Sequence, residues 1–457
     1  MRWVFLIFFL LFINHCSLIV AQSGWMEYST GITRPVRDIY FVNANTGWAV
    51  GDSAILKSTN GGLNWTPQYF FFYYGMPCYF KSVRFINENT GYTVGGHFAG
   101  GPYDFYYAYI YKTTNGGENW NIMSIPLLVG SAIHTRVFPV TENIIFVSSS
   151  GSFNMGASGG VAKSTNSGVN WLNNFSKGEC NALYCLNADT AWISTYFWSD
   201  YPAQKGCIYK TTNGGVNWVE QYKDSLYNAT LINSVQFINK NTGFAVGQKY
   251  YTNKTKFFKT TNGGTTWDTL LLNNNKYRSV FFIDQNTGWI GGGNSSDTSC
   301  ISYTTNGGLN WTSQKKNYVA SVSNLFFINS LTGWAALGSP NILKTTNGGI
   351  TFANQISTTV PEKFSLYQNY PNPFNPYTKI KFEIPPFYPP LGKGGNGGVS
   401  LKVFDITGRE IQILVNEQLS PGTYEVTFDG SNLPSGIYFY QLRSGDFLEN
   451  KKIILIK

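Results

Sequence analysis

The nine-residue phrase KTTNGGENW at residues 112–120 recurs six more times along the chain. The copies read KSTNGGLNW (57–65), KSTNSGVNW (163–171), KTTNGGVNW (210–218), KTTNGGTTW (259–267), YTTNGGLNW (303–311) and KTTNGGITF (344–352). Their central Asn residues fall at 60, 115, 166, 213, 262, 306 and 347, so successive copies lie 41 to 55 residues apart. A period of that size restricts the fold to arrays of one supersecondary unit, propellers and solenoids above all.

A second phrase precedes most copies: FVNANTGWAVG (41–51), FINENTGYTVGG (85–96), CLNADTAWIS (185–194), FINKNTGFAVG (237–247), FIDQNTGWIGG (282–292) and FINSLTGWAALG (327–338). The third unit carries only the degraded FPVTENIIFVSSS (138–150). Each unit divides into four short strands, which in the first are VRDIYFV, GWAVGD, AILKST and NWTPQY. Apolar residues alternate there with small or polar ones, as a half-buried strand requires. The Asn- and Gly-containing phrases sit at the turns, where positive φ costs these residues little. Low charge (12%), high aromatic content (17%) and 48 glycines also fit turn-rich all-β structure better than helices. Seven units of four antiparallel strands predict a seven-bladed β-propeller. Either GWMEYST (24–30), with Trp25 in the place of the box Trp, or ITFANQIS (350–357) supplies the strand that completes the last blade.

The repeat resembles the Asp box of sialidase-type propellers, Ser-x-Asp-x-Gly-x-x-Trp, with Asn in place of Asp. Together with NTGWAVG it is more similar to the repeat of the photosystem II stability and assembly factors. The resemblance spans about residues 25–356. It implies that Asn60, Asn115, Asn166, Asn213, Asn262, Asn306 and Asn347 build structural turns on the face away from the binding site. Asn lacks the charge of Asp, which disfavours calcium there, and the sequence points to no metal and no cofactor.

In an antiparallel four-strand unit the first-to-second and third-to-fourth turns share one face, and both are short here. The other connections vary in length, and irregular loops on a rigid scaffold are the usual seat of binding. Trp198, Tyr196, Phe197 and Tyr201 in one such loop, with Tyr103, Tyr106 and Tyr107 in another, are the candidate ligand-binding residues. Aromatic rings there suit stacking on sugars or anchoring a protein. The function expected is an exported binding module for a glycan or a surface protein. The second reading is a sialidase-like glycoside hydrolase, which needs paired carboxylates and, for sialic acids, three arginines. Asp104 and Asp200 are its candidate catalytic groups, alongside Asp52 and Asp297. The propeller arginines are Arg34, Arg37, Arg84, Arg136 and Arg278, and the Arg-Pro of TRPVRDIYF departs from the sialidase Arg-Ile-Pro start. The net charge of +9 is spread along the chain with no basic cluster, which argues against nucleic acid as a partner.

At the N-terminus one Arg precedes an apolar run from Val4 to Ile13, and Ala21 offers a cleavage point, the pattern of a signal peptide over 1–21. No later stretch is long and apolar enough to span a bilayer. Cys78, Cys180, Cys185, Cys207 and Cys300 match no zinc spacing; buried small hydrophobes are the favoured reading, with Cys180–Cys207 the best candidate for a single disulfide. The propeller is assigned to 22–356 and a linker to 357–363. The remainder, 364–457, alternates as the strands of a small, immunoglobulin-like β-sandwich interrupted by the low-complexity PPFYPPLGKGGNGG. YPNPFNP (370–376), VFDITGREI (403–411), FDGSNLPSGIYFYQL (428–442) and KKIILIK (451–457) resemble the type A C-terminal sorting domain of the type IX secretion system of Bacteroidota. That resemblance implies recognition by the outer-membrane translocon and sorting machinery after periplasmic transit, with release or attachment at the cell surface.

Overall fold

The computed structural model of the chain describes residues 24–457 except 71, 74–75, 99–105, 124–131, 152–158, 176–177, 198–204, 225–228, 250–251, 253, 273–274, 294–298, 317–319, 347, 350–353, 387–397, 418 and 431–432. The expected signal peptide, 1–21, therefore lies outside the described residues.

Each repeat forms a four-stranded antiparallel sheet whose strands pair in chain order, beginning with Val36–Phe41, Gly47–Gly51, Ala54–Ser58 and Thr66–Phe70. Five more complete sheets follow, headed by Tyr79–Phe85, Ala132–Pro139, Glu179–Cys185, Thr230–Phe237 and Lys276–Phe282. The seventh consists of Val322–Phe327, Gly333–Leu337 and Asn341–Thr345, completed by Met26–Ser29 from the other end of the chain. The first strands touch one another in sequence, and the seventh touches the first, so the sheets close into a propeller around an axial channel. Of the two candidates for closure, the N-terminal strand is the one used, and Trp25 is fully buried with its ring edge-on to Phe327 at 5.6 Å. The segment Asn354–Ser357 instead pairs with Gly422–Asp429 of the tail, because Met26–Ser29 already occupies the open edge of the seventh sheet.

Aromatic residues join the blades. The second-strand ring of one blade stacks face to face on the last first-strand Phe of the next: Trp48 on Phe85 at 3.4 Å, Trp192 on Phe237 at 3.5 Å, Phe244 on Phe282 at 3.5 Å, Trp289 on Phe327 at 3.8 Å and Trp334 on Phe41 at 3.7 Å. The box Trp then meets that Phe edge-on, as Trp65 does Phe41 and Trp267 does Phe237, the arrangement that the ring quadrupole favours. Each such Phe also lies directly on the glycine that follows the first turn. A methyl group on Gly47, Gly91, Gly243, Gly288 or Gly333 would approach the ring to 2.3–2.5 Å, inside van der Waals contact. Where the Phe is missing the glycine is missing too: Cys185 faces Ala191 in the fourth blade and Pro139 faces Ile145 in the third.

The repeated phrase is a turn that satisfies itself. In the first copy the Ser58 hydroxyl accepts the Gly62 N–H at 2.8 Å, and the Asn60 side-chain carbonyl accepts the Asn64 N–H at 2.9 Å. The same pair of bonds recurs at Asn115, Asn166, Asn213, Asn262 and Asn306, while Asn347 lies outside the described residues. The turn also receives the preceding blade: Trp48, Trp192, Trp289 and Trp334 donate their indole N–H to carbonyls of Gly116, Gly263, Gly348 and Gly61 at 2.9–3.3 Å. These bonds explain why that face is short and uniform, since lengthening a turn would break the link to its neighbour.

The tail is a sandwich of two four-stranded sheets. One orders Asn354–Ser357, Gly422–Asp429, Tyr377–Ile384 and Ser365–Leu366; the other orders Glu410–Glu417, Val399–Asp405, Gly436–Ser444 and Phe447–Leu455. Their inner faces share one core that includes Ile380, Phe382, Leu401, Val403, Tyr440 and Ile453. Phe374 of YPNPFNP is buried in it and brackets the last strand, accepting from the Ile456 N–H at 3.0 Å and donating to the Ile454 carbonyl at 2.9 Å.

The five described cysteines are buried free thiols. Cys180 and Cys207 both pair with Thr195, one from each side, so a whole strand separates them and the candidate bridge cannot form.

Candidate functional site

Every first strand breaks register at the same place. The pairing skips one residue in each of the seven: Arg37, Lys81, Thr135, Asn181, Asn233, Arg278 and Ser323. A bulge re-aims the side chain of the extra residue, and here all seven line one cavity of about 420 Å³ on the axis, joined by Arg136 and by Ile133, Ser150 and Gly151. The bulges fall near the start of their strands, so this chamber opens towards the face of the irregular connections. All seven bulge residues are polar or charged because they face the channel rather than the packed space between blades.

The chamber is cationic. Arg37 forms a bidentate pair with Asp52, at 2.5 and 3.1 Å. Asp38, buried at 3% exposure, is saturated by the N–H groups of Ile39 and Val83, the Arg84 guanidinium at 2.7 Å and the Asn324 amide. Among the described residues no carboxylate lies within ion-pair distance of Lys81, Arg136 or Arg278. Burial, reinforced by the like charges of Arg37 and Arg136, holds the Lys81 amine down at about 8. Burial also lowers Arg136, which remains a cation at any physiological pH. The Asn181 amide N–H₂ is buried without a hydrogen-bond partner and belongs to the same lining. Among the described residues, three cations without carboxylate partners and one buried amide without a hydrogen-bond partner therefore share this lining.

The candidates read from the sequence distribute differently. Tyr196 is fully buried inside the fourth blade and cannot stack on a ligand, because its position in the second strand turns it inward. Tyr107 is 51% exposed and stacks on the buried His97 at 5.0 Å, on a third strand away from the axis. The backbones of Tyr106 and Phe197 are in strands, but their side chains lie outside the described residues, as do Trp198, Tyr201, Tyr103, Asp104 and Asp200 entirely. Of the arginines noted in the sequence, the channel gathers Arg37, Arg84, Arg136 and Arg278. What sequence reading missed was the bulge register, visible only when the residue four places before each first-strand end is read as one column.

The ring defines the chain as a β-propeller protein, and the tail adds its destination. Residues 368–457 match the family described as secretion system C-terminal sorting domain, so the chain is a propeller cargo of that export route, bound for the cell surface or the medium. Its fold is similar to that of YCF48 bound to D1 peptide (17% identity, TM-score 0.53, covering 72% of this chain and 96% of that one). A second YCF48 structure, from Cyanidioschyzon merolae, is 17% identical with TM-score 0.51, covering 70% and 98%. The GH74 xyloglucanase from Xanthomonas campestris is 10% identical with TM-score 0.53, covering 93% of this chain and 75% of that one. No curated protein matches the sequence. Among the described residues no helix is long and apolar enough to cross a membrane.

Proposed function

We propose that the chain is an exported binding module whose ligand is an acidic glycan, held in the channel mouth on the irregular face. The observation that carries this reading is the ring of seven bulge residues around one cavity, with Lys81, Arg136 and Arg278 lacking acidic partners among the described residues. Cations for a carboxylate beside the Asn181 and Asn233 amides for hydroxyls match the chemistry of a uronic acid or another sugar acid. A cavity of about 420 Å³ inside a ring of strands admits a sugar unit or two, not a folded protein surface. Similar rings serve both ligand classes, since one YCF48 structure holds a D1 peptide and the Xanthomonas enzyme is a xyloglucanase. An acidic peptide tail is therefore the competing ligand.

Calorimetric titration of the full secreted chain with polygalacturonate, xyloglucan and a Glu-rich peptide tests the reading. Binding to the uronate polymer alone, weakened at least tenfold by Arg278→Gln and by added salt, is expected; preference for the peptide would replace the glycan. The hydrolase reading has its own assay: release of reducing ends, abolished by Asp104→Asn or Asp200→Asn, would make the chain an enzyme.

A further inference from the structure

Beyond the bulge ring, on the side of the repeated turns, the channel changes character. Three residues further along each first strand lie Tyr40, Arg84, Phe138, Tyr184, Gln236, Phe281 and Phe326, each half-buried and facing the axis. Five of the seven are aromatic, and neighbours touch: Tyr40 and Phe326 at 4.9 Å, Phe281 and Phe326 at 5.6 Å, Phe138 and Tyr184 at 5.3 Å between ring centroids. Together they collar a second chamber of about 220 Å³. Arg136, Asn233, Arg278 and Ser323 line both chambers, so the two are continuous. Among the described residues, the acid near the collar, Asp38, is consumed by Arg84 and Asn324. Arg84 in turn lies over the Tyr40 ring at 5.5 Å, which leaves the aromatic faces of Phe138, Tyr184, Phe281 and Phe326 as the dominant surface.

We infer that the deeper chamber is a second subsite for a flat ring with an apolar face, covalently next to the acidic group held at the bulge ring. This rests on the acidic-glycan reading and adds direction to it: the ligand enters end-on from the irregular face, leading with the ring that the aromatic collar receives. Three residues of strand separate the two levels by about 10 Å, about the end-to-end length of two linked rings in a short glycan or an aryl glycoside. A sugar offers its C–H face to such a collar, and an aryl group offers more apolar area still.

The test is a two-by-two comparison on the full chain with methyl β-glucuronide, 4-nitrophenyl β-glucuronide, methyl β-glucoside and 4-nitrophenyl β-glucoside. The aryl glucuronide is expected to bind at least tenfold more tightly than the methyl glucuronide. Phe326→Leu or Tyr184→Leu should erase that advantage while leaving methyl glucuronide affinity within twofold; Arg278→Gln should weaken both glucuronides alike. The wild-type comparison decides the matter even where a collar variant fails to fold. Equal binding of the two glucuronides overturns the second subsite and leaves the acidic reading intact. Binding of the aryl glucoside as tight as that of the aryl glucuronide, unmoved by Arg278→Gln, overturns both.

Discussion

Replacing Gly243 by Ala in the fifth blade tests the physical basis of the ring. The new methyl would lie 2.5 Å from the Phe237 ring, where contact normally begins near 3.5 Å. The ring cannot retreat, because Trp192 covers one face at 3.5 Å and Trp267 abuts it edge-on at 5.8 Å. In an unconstrained strand Gly→Ala would stabilise by about 0.5–1 kcal/mol, whereas overpacking here should cost about 1–3 kcal/mol. Phe237→Cys alone should cost about 3 kcal/mol, near the lower end of the range for emptying a Phe site. The double variant reproduces the Cys185–Ala191 pair of the fourth blade, and with the ring gone the methyl has nothing to strike. Its cost should fall about 0.5–1 kcal/mol below that of Phe237→Cys alone, a coupling of about 1.5–4 kcal/mol in a double-mutant cycle. Urea unfolding followed by tryptophan fluorescence, with slopes compared across the four proteins, measures it. Costs that add to within about 0.5 kcal/mol would refute the claim that the glycine exists to seat the ring.

Three further outcomes follow from named groups. Lys81, held down at about 8, should lose its charge as pH rises through that value, so affinity for an acidic ligand should drop between pH 7 and 9.5, and Lys81→Arg should remove the drop. His134 is fully buried against the Ser149 hydroxyl at 2.7 Å, and burial pushes its imidazole down to about 3. The folded state therefore refuses a proton that the unfolded chain accepts below about 6.5. Stability is intact above that pH and is lost progressively towards pH 3, on the order of 4 kcal/mol in all, and a His134→Gln variant should show a flatter acid limb in pH-dependent unfolding. Trp25→Ala should cost about 3–5 kcal/mol and lower the melting temperature; no change would mean that the N-terminal strand does not close the ring.

Much of this architecture could be read in the sequence, because each turn carries its own hydrogen-bonding residues. Ser58 and Asn60 satisfy their turn locally, so seven copies of the phrase mark seven turns without reference to the rest of the chain. The strand that closes the ring was not decidable, since GWMEYST and ITFANQIS have equally good local patterns and the choice depends on competition for one distant edge. The channel cations were hidden for a related reason. Arg37, Lys81 and Arg278 are far apart in sequence, and each looks like an ordinary solvent-facing strand residue until the bulge turns it to the axis; Arg136 joins them from the position after the Thr135 bulge. Tyr196 was misread because the second strand runs on to Phe197, and composition alone does not reveal where inward alternation stops.

The closing strand also determines how the molecule responds to being pulled. Met26 pairs with Lys344 and Ser29 with Asn341, so the chain enters and leaves the seventh sheet at the same end of an antiparallel pair. Tension between the two ends unzips four residue pairs one at a time instead of shearing them together, and the other six sheets carry no load until that zipper has opened.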